Sequence, residues 1–202
     1  MDCTNLFKTT ICCFEQQINR PIVLVLNDSF IFSSCSSEDV KYFFYKNESM
    51  IKRHIFSMSE TTIVRYDSTS WIVYPIQTGT NHSSVRLLIS HPYHPDNHMY
   101  VECLIEILTL IIQKKYNEQQ LAQEVEQLSE RERQIFFLLL KGYSNQEIAN
   151  ELVLSKHTIK NHINHVFQKL DVKRRSQLIA KFSHLYHSGD RHGYFCRETT
   201  DF

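Results

Sequence analysis

The segment between Ser155 and Gln168 carries the side chains best suited to binding another molecule. At helical spacing, one face holds Lys156, His157, Lys160, Asn161, Asn164, His165 and Gln168. Asparagine can pair with the edge of adenine, and lysine can reach the acceptors of guanine or the phosphates. The segment has no Asp or Glu, although a helix that faces only solvent usually mixes Glu with Lys. The pattern predicts a helix that reads DNA.

Local start and stop signals predict the helices that position this face. Ser-x-x-Glu pairs at 129–132 and 144–147 are capping boxes, Ser155 is a third N-cap, and Gly142 ends the first helix. Apolar residues at helical spacing predict a shared core of Ile135, Phe136, Leu138, Leu139, Ile148, Ala149, Leu152, Ile159, Ile163, Val166, Phe167 and Leu170. Two capped helices separated by three residues predict a helix-turn-helix.

The motifs of this segment resemble a known family over about residues 128–179. They are Leu128-Ser-Glu-Arg-Glu, Gly142-Tyr-Ser-Asn-Gln-Glu-Ile-Ala, Ser155-Lys-His-Thr-Ile-Lys-Asn-His and Lys169-Leu-Asp-Val. The segment is similar to the all-α, four-helix DNA-binding domain of LuxR-type bacterial transcription regulators, also called GerE- or FixJ-type. The resemblance implies a sequence-specific regulator that binds double-stranded DNA as a homodimer on a two-fold site.

The resemblance also assigns roles to individual residues. Lys160, Asn161 and Asn164 would contact bases. The phosphate contacts would come from Ser144, Asn145, Lys156, Thr158, His165, Lys169 and Arg175. The last helix, about 174–185, would form a dimer contact on DNA through Leu178, Ile179 and Phe182, or would instead cover the three-helix core.

The first half of the chain predicts an α+β domain with an antiparallel sheet. A helix over 4–18 precedes a hairpin at 22–32, a helical middle at 36–58 and three strands at 61–66, 71–76 and 85–90. The order resembles a PAS-type sensor over 1–97, with a GAF-like sheet as the rival. One sheet face is expected to be free for a core or a small ligand. The sequence names no cofactor, and the ligand of this domain stays unidentified.

A helix without Gly or Pro is predicted over 98–127. Its first half, Met99 to Ile112, is apolar nearly all round, so we expect it to pack on its own sheet and on a second copy at the same time. Its alternating core positions are Val101, Leu104, Leu108, Ile111, Lys115, Glu118, Ala122 and Val125. The residues assigned to dimerisation are Leu104, Leu108, Ile111, Val125, Leu178 and Phe182. The alternative is an ordinary buried helix of a monomer. The expected organisation is a sensor-like domain over 1–97, a dimerising helix over 98–128, a DNA-binding domain over 129–186 and a mobile tail over 187–202.

The distribution of charge supports the DNA-binding assignment. The chain has 22 basic and 22 acidic residues, but residues 129–186 hold 10 Lys and Arg against 5 Asp and Glu. Residues 1–128 are acidic, with 10 against 14. Such asymmetry is typical of a basic part that contacts nucleic acid. A protein-interaction adaptor is the alternative function, and it predicts little dependence of DNA affinity on salt.

Other features exclude or disfavour further functions. The chain has four glycines and neither a phosphate-binding loop nor a Gly-x-Ser-x-Gly or His-Glu-x-x-His motif, so we expect no enzyme. Its six cysteines lack zinc spacing and are expected to be reduced thiols. We interpret His91, His94 and His98 as part of an exposed loop rather than as a metal site. We interpret His54 as a half-exposed residue on a helix rather than as a haem ligand. We expect a cytoplasmic protein without a membrane segment, with RNA polymerase as a further partner.

Overall fold

The computed structural model describes residues 3–77 and 85–189, and these divide into two compact units at Lys115 and Tyr116. The elements of the first unit are α1 (Cys3–Ile18), β1 (Ile22–Leu26), β2 (Ser29–Phe32), α2 (Glu38–Lys46), α3 (Glu48–Phe56), β3 (Thr62–Tyr66), β4 (Thr69–Ile76) and β5 (Val85–His91). A 3₁₀ turn at Pro95–Asn97 leads into α4 (His98–Glu126). The remaining helices are α5 (Glu130–Leu140), α6 (Asn145–Glu151), α7 (Lys156–Lys169) and α8 (Arg175–Gly189). The predicted order of elements is confirmed in both halves.

The five strands form one antiparallel sheet in the order β2-β1-β5-β4-β3. The first hairpin turns at Asn27 and Asp28, whose φ angles are 47° and 64°. Asn and Asp tolerate this left-handed conformation, which two-residue hairpin loops require for the twist of their strands. The predicted turn at 79–81 lies outside the described residues.

Helices cover both faces of the sheet. Leu24 points to the face covered by α1 and α4, whereas its neighbours Val23 and Val25 point to the face with Phe44 and Ile51 of α2 and α3. Because successive side chains of a strand alternate between faces, a strand with two covered faces is apolar at every position. Of the two uses predicted for a sheet face, a core or a small ligand, the structure shows a core on each face. The second core includes three buried residues of α2 and α3, which the polar, aromatic sequence there did not reveal.

A disulfide between Cys12 and Cys35 corrects the prediction that all six cysteines are reduced. The two Cα atoms lie 5.9 Å apart, and the bond ties α1 to the segment after β2. Cys13 and Cys103 are free and exposed. The pairing has no local signal, because the two cysteines are 23 residues apart.

α4 contributes to the core of each unit. Val101, Leu104 and Leu108 are buried in the core beside the sheet, and Val125 is buried in the core of α5 to α8. Its continuous helical backbone confirms the prediction of a helix over 98–127. No helix among the described residues is long and apolar enough to cross a membrane. The tail predicted over 187–202 begins later than expected, because α8 runs to Gly189, and the rest of it lies outside the described residues.

Candidate nucleic-acid interface

Three N-caps fix where the helices of the second unit begin. Ser129 Oγ accepts from the N–H of Glu132 at 3.4 Å, and Glu132 Oε2 accepts from the N–H of Ser129 at 2.9 Å. The same reciprocal pair joins Ser144 and Glu147 at the start of α6. Ser155 Oγ accepts from the N–H of Thr158 at 3.0 Å. The predicted caps are all present, because each depends only on residues three positions apart.

Glu132 also connects α5 to the end of α7. Its side chain is buried, and its Oε2 accepts from Lys169 Nζ at 2.6 Å. Burial raises the pKa of this carboxyl, but the hydrogen bonds from Lys169 and Ser129 outweigh burial and lower the pKa to about 2. The carboxylate is therefore ionised across the physiological range and holds two helices together.

Cationic side chains from distant positions bind the carbonyls at three helix ends. Arg131 Nη2 donates to the carbonyl of Leu152 at 2.8 Å. Lys181 Nζ donates to the carbonyl of Leu170 at 3.1 Å. Arg175 donates to the carbonyl oxygens at the end of α5, at 2.6 Å to residue 143 and 2.9 Å to residue 139. Leu152 and Leu170 are the C-caps of α6 and α7, and Leu139 lies in the last turn of α5, so a positive charge at these carbonyls also complements the helix dipole.

The turn between α6 and α7 contains a residue in the left-handed region. Val153 has φ 52°, and its side chain is 88% exposed. The N–H of Leu154 donates to the carbonyl of Ala149 at 2.9 Å and closes the turn. A β-branched residue rarely adopts this φ, because its Cβ approaches the carbonyl oxygen. This turn therefore holds backbone strain.

α7 buries one face and exposes the polar one. Ile159, Ile163 and Val166 are buried in the core of the unit. The opposite face is exposed at Lys156, His157, Lys160, Asn161, Asn164, His165 and Gln168. Over these 13 residues the helix rises about 18 Å, which is long enough to lie along a DNA major groove. The structure thus brings the three residues assigned to base contacts onto one exposed surface, which we call the α7 polar face.

The residues assigned to phosphates are placed differently. The N–H of Ser144 already donates to Glu147 Oε2 at 2.6 Å, and Lys169 and Arg175 have the internal partners described above. Thr158 Oγ1 lies 2.8 Å from Ser155 Oγ. Lys156 and His165, by contrast, are exposed on the α7 polar face, and Asn145 is half-buried at the start of α6. The sequence did not reveal the internal roles, because Lys169 and Arg175 bind groups at least 32 residues away.

The residues assigned to dimerisation lie mostly inside the chain's own cores. Leu104 and Leu108 are buried beside the sheet, and Val125 is buried in the core of the second unit. Leu178 and Phe182 of α8 are buried there too, with the ring of Phe182 5.3 Å from that of Phe136. This assignment is corrected: in this fold these five side chains have no surface to offer a second copy. Ile111 is partly buried against the first core.

Comparison with known proteins identifies the second unit. Residues 126–182 match the family model described as bacterial regulatory proteins, luxR family. The chain is 46% identical over 54 residues to the spore germination protein GerE of Bacillus subtilis, covering 27% of this chain and 73% of GerE. It is 33% identical over 106 residues to the response regulator protein VraR of Staphylococcus saprophyticus, covering 52% of this chain and 47% of VraR.

The chain thus spans about half the length of VraR but most of GerE. Among solved structures, that of the response regulator StyR gives a TM-score of 0.40 at 26% identity, covering 46% of this chain and 48% of that one. The family model spans the capping boxes and the α7 polar face, and the matched part of the chain covers 73% of GerE. The chain therefore belongs to the luxR family of bacterial regulatory proteins, whose members are typically DNA-binding transcription regulators and not enzymes.

Proposed function

We propose that this chain is a sequence-specific transcription regulator that binds double-stranded DNA as a homodimer, with its affinity set by the first unit. The observation that carries the proposal is the α7 polar face, an exposed surface without an acidic side chain on a helix whose opposite face is buried. Such a surface matches the negative potential of a major groove.

Two kinds of contact are proposed for this face. Lys160, Asn161 and Asn164 read base edges, because amide and ammonium groups fit the acceptors and donors in the major groove. Lys156 and His165 contact phosphates, which position the helix but carry little sequence information. Lys169 and Arg175 act mainly by holding α7 and α8 in place, since their donors already have internal acceptors. Two such helices about 34 Å apart would fit successive turns of DNA.

The role of the first unit is proposed from its covered sheet. A sheet with helices on both faces is a separate folded body, and a PAS-like sensing role suits its strand and helix order. A signal there would need to favour one of two states that differ in DNA affinity. A regulator of this kind acts in the cytoplasm and would also meet RNA polymerase.

The alternative, an adaptor whose helices bind a protein, is separated from DNA binding by salt. Selection from random double-stranded DNA with the full chain should yield a preferred site. Affinity for that site should fall steeply with salt, because bound cations are released when Lys side chains neutralise phosphates. An affinity that is weak and unchanged by salt would favour the adaptor.

Substitutions on the α7 polar face test the assignments. Asn161→Ala or Asn164→Ala should cost roughly 1–3 kcal/mol on the selected site and relax its base preference, whereas Lys156→Ala should weaken all DNA alike and reduce the salt slope. Gln120→Ala is the control, because Gln120 is exposed on α4 outside this face. Wild-type affinity and preference in all the α7 variants would show that the proposed face is wrong.

A further inference from the structure

α4 carries a second apolar surface that the described residues leave exposed. Tyr100, Cys103, Ile107 and Leu110 follow each other at spacings of three, four and three residues and share one side of the helix. All four are exposed, Leu110 by 65%. We call these four residues the α4 outer stripe. It lies on a different side from Val101, which is buried beside the sheet.

This surface is unusual for the outside of a folded chain. Single exposed apolar residues are common, but contiguous ones mark interaction sites. Spacings of three and four are those by which one helix packs along another. The stripe therefore fits a helical partner better than a flat or extended one.

The charges around the stripe indicate which helix fits. Glu102 and Glu106 are exposed beside its N-terminal part, and Lys114 is exposed one turn beyond Leu110. In a parallel pair about a two-fold axis, each Lys114 would meet the other Lys114. In an antiparallel pair centred between Ile107 and Leu110, each Lys114 lies within side-chain reach of the acidic residues of the other helix, so that the surface complements itself.

We propose that the α4 outer stripe is the contact between two copies of this chain, with their α4 helices antiparallel. Ile107 of each copy packs on Leu110 of the other, and Cys103 lies opposite Lys114. The inference rests on the homodimer of the proposed function, and it locates that homodimer on a surface separate from the α7 polar face. The buried stripe of α4 is not available to a second copy, because it fills the chain's own core.

The size of the stripe sets the expected strength. Stable interfaces bury roughly 800 Å² on each partner, and four partly exposed side chains reach less than this. We therefore expect association without DNA with a dissociation constant on the order of micromolar. Two-fold binding to DNA would strengthen the pair through effective concentration.

The first experiment is sedimentation velocity on the full chain over a wide concentration range. Wild-type protein should pass from monomer to dimer, and Leu110→Glu should weaken this association at least about tenfold, because a carboxylate that faces Ile107 of the other copy must lose its water. Ile63→Glu is the matched control, since Ile63 is 54% exposed on β3 and outside the stripe. A wild-type protein that stays monomeric, or a Leu110→Glu variant that associates normally, would overturn the proposal.

The direction of the helices is tested by charge reversal. Lys114→Glu should weaken association, and adding Glu106→Lys should restore it, because the two charges meet only between antiparallel copies. A double variant no better than Lys114→Glu alone would contradict the antiparallel pair. Mild oxidation gives a second readout in chains with Cys3, Cys13 and Cys196 replaced by serine. A covalent dimer should form after Lys114→Cys, whereas efficient linkage through Cys103 alone would indicate parallel helices.

Failure of this interface and failure of the proposed function are separable. Binding of Leu110→Glu to DNA that carries a single half-site should equal that of wild type, because the stripe does not contact DNA. Loss of dimer with retained half-site binding supports both proposals. A wild-type chain that forms dimers but binds no DNA would support the interface and contradict the proposed function.

Discussion

The buried carboxylate of Glu132 should control the stability of the DNA-binding unit, and Glu132→Gln tests this directly. The amide keeps the shape of the side chain but imitates the protonated acid. In the wild-type protein, the pKa of the Glu132 carboxyl falls from its ordinary value of 4.5 to about 2. Each pKa unit equals roughly 1.4 kcal/mol, so the ionised form is favoured by at most about 3.5 kcal/mol. The ammonium of Lys169 is partly exposed and can be hydrated when its partner is lost. We therefore expect a loss of about 2 kcal/mol at pH 7.

The pH dependence follows from the direction of this pKa. A lowered pKa contributes stability that is complete above the unfolded value near 4.5 and is lost as pH falls through about 2. Wild type and Glu132→Gln should therefore differ at pH 7 and converge at pH 2.

The stability of the second unit can be measured by hydrogen exchange of the backbone amides in α5 and α7 during urea unfolding, because Glu132 and Lys169 connect these two helices. The single tryptophan, Trp71, reports on the first unit and serves as an internal control. Glu147→Gln is the matched variant, since the same capping position there is exposed and should lose less. Equal protection of wild type and Glu132→Gln at pH 7, or a difference that persists at pH 2, would refute the role given to this carboxylate.

Three further outcomes are expected from the backbone and the cysteines. Val153→Gly should stabilise the second unit by about 0.5–1 kcal/mol in chemical denaturation, because glycine adopts the left-handed φ without a Cβ clash; no gain would show that the turn is unstrained. Gly142→Ala should cost about 1 kcal/mol in the same assay, because Gly142 has φ 94°, a backbone conformation that alanine rarely adopts. An added Cβ would meet no atom within 4 Å, so the cost comes from the backbone alone, and Gly142→Asn should cost less. Iodoacetamide should label Cys13 in the native chain, but Cys12 and Cys35 only after reduction. Mass spectrometry of the labelled peptides checks this, and labelling of Cys12 or Cys35 without reduction would contradict the disulfide.

Features set by neighbouring residues could be predicted from the sequence. The capping boxes at Ser129 and Ser144 and the turn at Asn27 each depend on residues within a few positions, so the pattern and the physics coincide. The α7 polar face followed in the same way, because one helix of 14 residues carries both its buried and its exposed side.

Features set by distant parts of the chain could not. α4 has two apolar stripes on different sides, and periodicity alone does not tell which one the sheet will cover. The dimer pattern predicted from the sequence included Leu104 and Leu108, which are buried in the core beside the sheet. The bond of Lys169 to Glu132 was equally hidden, because a basic residue near a DNA-reading helix has the same appearance in sequence whether it serves the fold or the phosphates.

The cations at the helix ends have a consequence for handling this protein. Arg131, Arg175 and Lys181 bind carbonyls inside the second unit, whereas Lys156 and Lys160 stand in solvent. Mobile ions screen exposed charges strongly and partly buried contacts much less. Rising salt should therefore detach the protein from DNA well before it loosens the helices. A salt gradient would elute the regulator from a DNA column in its folded form, ready to bind again when the salt is removed.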